Sequence, residues 1–139
     1  MAAIAFLLAG IVVTAPFPND GTIPKVYTCD GADKRPAITL STHVHARQYA
    51  VEVDDIDAPG GVFVHWIAAG PVQGKNTFGK IGYSGPCPPP GDPPHRYVFH
   101  VYGLNRALRL ARGFSAAQLH AAMRGHVIAS GKIVGRYGR

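Results

Sequence analysis

Three carboxylates crowd into four positions at Asp54-Asp55-Ile56-Asp57, at the end of an alternating apolar run. Like charges this close disfavour one another unless a cation, a metal or hydrogen-bond donors satisfy them, so the cluster is either a solvated turn or part of a site. His65 is the one polar side chain in Val62-Phe63-Val64-His65-Trp66-Ile67-Ala68-Ala69. A lone imidazole in such a run is either a hydrogen-bonded core residue or one wall of a pocket. His95 and Arg96 stand where a loop dense in Pro and Gly gives way to the strand-like Tyr97-Val98-Phe99-His100-Val101-Tyr102. Imidazoles and carboxylates together can hold an anion, move protons or ligate a metal. The competing chemistries are therefore recognition of an anionic group, acid/base or Ser84-assisted hydrolysis by Asp55, His65 and His95, and metal binding through the same three residues. Ser84 lies in a Gly-Pro loop without the strand-turn-helix of a nucleophile elbow. The His/Asp set lacks a signature metal spacing. Anion recognition leads, the expectation is a protein that is not an enzyme, and no metal or cofactor is expected. His43 and His45 share a strand face, but no Cys, Asp or Glu stands beside them, and they read as a solvated polar face.

The elements that must position these groups are short strands. With 139 residues the chain is expected to form a single domain over 1–139. Gly (17) and Pro (12) are abundant and the charged fraction is only 16%, which favours a turn-rich β protein. The net charge of +6 comes from basic residues scattered singly, so nucleic acid is not an expected partner. Strands are expected at Gly10–Phe17, Lys25–Cys29, Ile38–His45, Tyr49–Val53, Val62–Ala69, from His95 to Tyr102, and Lys132–Tyr137, with His126–Ser130 as a helical turn or a strand. In the third of these Ile38, Leu40 and Val44 are expected to face the core. One helix begins after Ser115, whose spacing to Gln118 is that of a capping box, and Gly125 stops it. Alternation along the strand opening at His95 puts His95, Tyr97 and Phe99 on one face and Arg96 on the other.

Residues 1–15 are apolar throughout but fall short of the roughly 20 residues a membrane-spanning helix needs. A signal peptide would lack its basic n-region. The preferred reading is a buried strand from Gly10 with residues 1–9 as an apolar extension. A cytoplasmic location follows, or an exported one if residues 1–15 act as a signal segment.

Asp55-Ile56-Asp57-Ala58-Pro59, His65-Trp66, Gly82-Tyr83-Ser84-Gly85-Pro86-Cys87-Pro88-Pro89 and His95-Arg96-Tyr97, in this order, resemble the phosphatidylethanolamine-binding protein family, in its compact bacterial and archaeal branch related to Raf kinase inhibitor protein. Phe17–Gly31 and Met123–Tyr137 fit the same branch, so the resemblance covers about residues 10–137. It implies a mainly β fold, an antiparallel Greek-key β-sandwich with one or two short helices and an anion pocket at one end. Carried across residue by residue, it implies ligand contacts from Asp55, Asp57, His65, Gly85 through its N–H, His95 and Tyr97. Arg96 becomes scaffold, with Asp57 as its partner. The implied partners are a small anionic or phosphorylated ligand and a protein kinase or protease that the protein modulates or inhibits, with a homodimer also open.

Some positions depart from the family pattern. Ile56 replaces the first Pro of D-P-D-A-P, so that loop is expected to be less rigid. Arg35-Pro36-Ala37-Ile38-Thr39-Leu40 lacks the family's Trp, which leaves one pocket wall open to question. The resemblance places Cys29 and Cys87 in loops near the pocket, where a bridge is conceivable, whereas free thiols are the default in a reducing cytosol.

Overall fold

The computed structural model describes residues 9–139, and the apolar extension expected before Ala9 lies outside them. In chain order the elements are β1 (Ala9–Gly10), β2 (Val12–Thr14), β3 (Gly21–Thr22), β4 (Thr39–Ser41), β5 (Gln48–Asp55), β6 (Phe63–Ala69), β7 (Val72–Gln73), β8 (His95–Leu104), α1 (Ala116–Met123) and β9 (Val127–Tyr137). A seven-stranded sheet runs β1-β9-β8-β5-β6-β7, with β3 also on β9, and β2 pairs with β4 in a second, two-stranded sheet. Consecutive strands β5, β6 and β7 pair antiparallel, and β8 returns by a long connection to lie on the other side of β5. That order, fourth strand beside first, is the Greek key. Among the described residues only the short pairings of β1 and β3 with β9 are parallel.

The large sheet is buried on both faces because its long strands carry apolar residues on both. On one side Val53, Tyr97, Phe99 and Ile133 pack against Ile11, Val13, Phe17 and Ile23 from the N-terminal layer. On the other, Ala50, Ile67, Ala69 and Leu104 pack against Phe114 and the Leu119 and Met123 stripe of α1. The capping box is formed: Gln118 N–H donates to Ser115 Oγ (3.1 Å) and Ser115 N–H to Gln118 Oε1 (2.9 Å). Replacing Ser115 by Ala leaves that first-turn amide without its acceptor. It should cost about 1 kcal/mol, readable as a fall of a few degrees in Tm.

Several expected strands are shorter than their sequence pattern. The stretch expected as one strand from Gly10 to Phe17 breaks at Ile11, whose N–H donates to Ser130 O as the chain passes from the large sheet to the small one. Lys25–Tyr27 is a 3-10 turn rather than a strand, closed by Tyr27 N–H to Pro24 O and Thr28 N–H to Lys25 O. Of Ile38–His45 only Thr39–Ser41 is strand, and Leu40 is 37% exposed instead of core. The cause is that β4 finds a partner only in the three residues of β2. The two segments expected separately after Gly125 form one strand, β9, lying along β8 with a single register shift.

One irregularity matters for the site. Val53 pairs with Trp66 and Asp54 with Val64, so His65 is the extra residue of a β-bulge in β6. Bulges re-aim side chains and are frequent beside functional sites. Here the bulge resets the alternation, so that Phe63, opposite Asp55, belongs to the same end of the sheet as His65.

Candidate functional site

The register of the central strands gathers the site. Asp55 ends β5, directly opposite Phe63 on β6 and Tyr97 on β8. His95 lies two residues before Tyr97 on the same strand face, and the bulge brings His65 beside Tyr97, their ring centroids 5.3 Å apart. These side chains line a cavity of about 290 Å³ with Ala58, Pro59, Phe78 and the Cys87-Pro88-Pro89 wall. A larger cleft of about 560 Å³, lined by Arg35, Ile38, Leu40 and Trp66 among others, holds no carboxylate or imidazole. The Arg35–Leu40 segment therefore walls that cleft and not the cavity. The smaller cavity is the site because it alone of the two gathers carboxylate and imidazole groups.

Its electrostatics follow from hydrogen bonding. The two ring nitrogens of buried His95 face Asp55 Oδ2 at 2.7 Å and Asp92 Oδ2 at 3.1 Å. Two carboxylate acceptors are both satisfied only when both ring nitrogens carry hydrogen, so the arrangement favours the imidazolium form. Burial works against that charge, but the hydrogen bonds to Asp55 and Asp92 outweigh it and raise the pKa above the ordinary histidine value. Asp55 is fixed in turn by Asp57 N–H donating to its Oδ1 (2.9 Å). His65 is the opposite case. It is buried, and burial lowers its pKa despite the nearby backbone carbonyls and the Asp55 charge. Its Nδ1 is 2.7 Å from Ser84 O and must be the donor, which leaves Nε2 for a ligand. Tyr97 is wholly buried, and its hydroxyl makes no hydrogen bond of normal geometry among the described residues, although the Asp55 carboxylate lies near enough to act on it. Burial and the Asp55 charge push its pKa upward and keep it protonated.

Not every residue expected at the site lines the cavity. Asp57 faces away and clamps Arg96, accepting from its Nε (2.9 Å), its Nη2 (2.8 Å) and its backbone N–H (2.8 Å). Hydrogen bonds from the Arg96 guanidinium hold the Asp57 carboxyl down at about 2. The Arg96 side chain is 48% exposed, so this clamp orders the Asp57 loop at the surface and does not neutralise a buried charge. Gly85 is also displaced from its expected role. Its N–H donates to Asp33 Oδ1 (2.8 Å) and does not face the cavity, and the position needs glycine because a Cβ there would collide with the Tyr27 carbonyl. Ser84 accepts from Asn76 Nδ2 (3.0 Å), and it is its backbone carbonyl, not its hydroxyl, that meets His65. Ile56 contributes an N–H to Arg96 O (3.1 Å) that proline could not supply, so the loop gains a ladder bond at the departure from the family pattern. Among the described residues no group of three or more His, Cys, Asp or Glu side chains is placed to hold a metal ion.

Two residues that shape the site were not read as site residues in the sequence: Phe78 in the cavity wall and Asp92, which lies outside the wall and reaches the site through His95. Phe78 meets Phe63 edge-on (4.6 Å between centroids) and lines the cavity while staying half exposed itself. Asp92 was missed inside a loop that reads only as rigid; its spacing three residues before His95 was the available signal. That loop is pinned from several sides. Cys29 and Cys87 form a disulfide, Cys29 N–H donates to Pro86 O, and Arg139 donates from Nε to Pro88 O (2.8 Å) while pairing with Asp30.

Fold and cavity together define a class: a small Greek-key β domain with a carboxylate–imidazole cavity at one end of its main sheet. The chain belongs to the phosphatidylethanolamine-binding protein family, whose model matches residues 13–138. It is 39% identical to a UPF0098 protein of Pyrococcus abyssi over 93% of this chain and 85% of that one. Two crystal structures share the fold. A phosphatidylethanolamine-binding protein homologue from Chlamydia trachomatis superposes with a TM-score of 0.86 at 35% identity, covering 94% of this chain and 98% of the other. YbcL of E. coli, a member of the same family, superposes with a TM-score of 0.82 at 26% identity, covering 93% and 98%.

Proposed function

We propose that the protein is a ligand-binding module whose cavity takes a small anionic group of the phosphate type, and that it serves as a modulator of a protein kinase or protease. Tyr97 carries the reading. A buried hydroxyl without a well-formed hydrogen bond costs free energy, and an acceptor oxygen of a ligand in the cavity would satisfy it where the poorly aligned Asp55 carboxylate does not. Beside it, the free Nε2 of His65 accepts from a protonated phosphate oxygen, or donates once the ligand's charge draws a proton onto the ring. Asp55 does not repel such a ligand as a bare carboxylate would, because the His95 imidazolium balances it. Phe78, which lines the cavity and is 50% exposed, suits the apolar remainder of an organic ligand or the surface of a partner protein. The modulator role draws its support from the family, which includes kinase-inhibitor members.

The disulfide bears on where this takes place. Such bridges persist in oxidising compartments and, in the cytosol, chiefly in hyperthermophiles. The exported setting therefore gains support over the cytoplasmic one. Among the described residues no helix is long and apolar enough to cross a membrane.

Titrating inorganic phosphate and phosphoethanolamine into the protein should move the NMR resonances of the His65 and Tyr97 rings. Tyr97→Phe and His65→Ala should each weaken binding by roughly tenfold, the loss of a buried hydrogen bond to a charged group. Unmoved resonances, or unchanged affinity in both variants, would remove the anion-binding claim.

A further inference from the structure

We propose that Asp92 is an internal competitor for the ligand's oxyanion: its carboxylate occupies the one ring nitrogen of His95 that an external anion could take, so this residue sets the affinity of the cavity. The inference rests on the reading of the cavity as an anion site.

The two carboxylates on His95 differ in how firmly they are held. Asp55 is buried, ends the central strand, and accepts a backbone N–H from Asp57 as well as the His95 Nδ1–H. Asp92 has 38% of its side chain exposed, belongs to the Pro-rich loop, and makes its one side-chain hydrogen bond to His95 Nε2, at 3.1 Å. His95 is buried but the Asp92 carboxylate is open to solvent, and water competing for that one partner weakens the contact relative to the fully buried one. Nε2 is therefore the exchangeable contact and Nδ1 the fixed one.

Charge argues the same way. Asp55, His95 and Asp92 together carry one net negative charge, which disfavours a further anion while Asp92 stays in place. Moving Asp92 aside leaves a neutral Asp55–His95 pair with one free N–H. The displaced carboxylate has somewhere to go. It lines a depression shared with Arg96 and Arg136, which stand directly opposite each other across the β8–β9 ladder. Like charges so placed are destabilising and favour an added negative charge between them. Arg96 is already clamped by Asp57, so Arg136, exposed, is the available receiver. The ligand group implied is a compact oxyanion, because it replaces a carboxylate oxygen at a single N–H.

The test uses the full chain and inorganic phosphate, followed by NMR of the side-chain carboxyl carbons and imidazole rings. In the unmodified protein phosphate should move the Asp92 carboxyl resonance together with the His95 ring. Asp92→Asn should tighten phosphate binding by roughly fivefold, since a neutral amide neither repels the anion nor competes as strongly for the N–H. Phosphate that moves His65 and Tyr97 but leaves the Asp92 carboxyl unmoved overturns the competitor role and leaves the anion cavity standing. Affinity that is unchanged or weaker in Asp92→Asn overturns it too. Shifts at Asp92 and His95 with none at His65 and Tyr97 would put the phosphate in the outer depression beside Arg96 and Arg136, overturning both the competitor role and the cavity reading.

Discussion

Replacing both Cys29 and Cys87 by Ala should lower the stability of the fold by about 4 kcal/mol, the chain-entropy value for a loop of this size. The bridge joins residues 58 apart in sequence, from the 3-10 turn region of the N-terminal layer to the Pro-rich wall of the cavity. Without it the unfolded chain regains the freedom of that loop. A loss of this size is a large fraction of the 5–15 kcal/mol that holds a typical domain together. The wall itself retains other ties, among them Cys29 N–H to Pro86 O and Arg139 to Pro88 O. The domain should therefore still fold, while phosphate binding weakens because Pro88 and Pro89 line the cavity. Denaturant unfolding of the double variant, and of the unmodified protein with and without reductant, measures the effect. Equal midpoints in all of these would show that the bridge contributes nothing to stability.

Much of this was legible in the sequence where a side-chain period of two coincides with burial on a long strand. Val62–Ala69 and the run from His95 to Tyr102 are central strands as their composition demands, and the face assignment of His95, Tyr97 and Phe99 against Arg96 holds residue by residue. The capping box of Ser115 and Gln118 was legible because it is a local motif whose two halves lie three residues apart. Three things were not. The bulge at His65 is a property of pairing between strands, and no spacing within β6 announces it. The loss of strand at Lys25–Cys29 and beyond Ser41 reflects missing partners rather than poor propensity, since a β-prone segment without a neighbour turns or stays open. The N–H of Gly85 was assigned by resemblance to the ligand, but Asp33, 52 residues earlier, takes it. That contact joins two loops whose meeting only the fold determines. Asp92 belongs to the same group: its role depends on how a loop with six prolines from Pro86 to Pro94 folds back over His95.

Asp55→Ala should be the most damaging single change at the site. It removes the acceptor of the His95 Nδ1–H and of the Asp57 N–H in one step, and both Asp55 and His95 are nearly wholly buried. Leaving one partner of a buried pair behind costs about 3 kcal/mol or more. The size of the effect should depend on pH with a definite sign. The folded-state pKa of His95 is raised above its unfolded value near 6.5, so the folded protein binds the proton more tightly. The stabilisation from the charged pair is then fully present below about pH 6.5 and fades as pH rises through the folded value, where the ring becomes neutral. The deficit of Asp55→Ala, measured by denaturant unfolding, should accordingly be larger at pH 6 than at pH 9. The His95 ring resonance reports the cause directly. It should titrate above 6.5 in the unmodified protein and lower in the variant, where burial opposes the charge with only Asp92 left to support it. A His95 midpoint at or below 6.5 in the unmodified protein, or the same deficit at both pH values, would mean that Asp55 holds a neutral imidazole. The cavity would then face its ligand with an uncompensated carboxylate, and a cationic or hydroxyl group would suit it better than an anion.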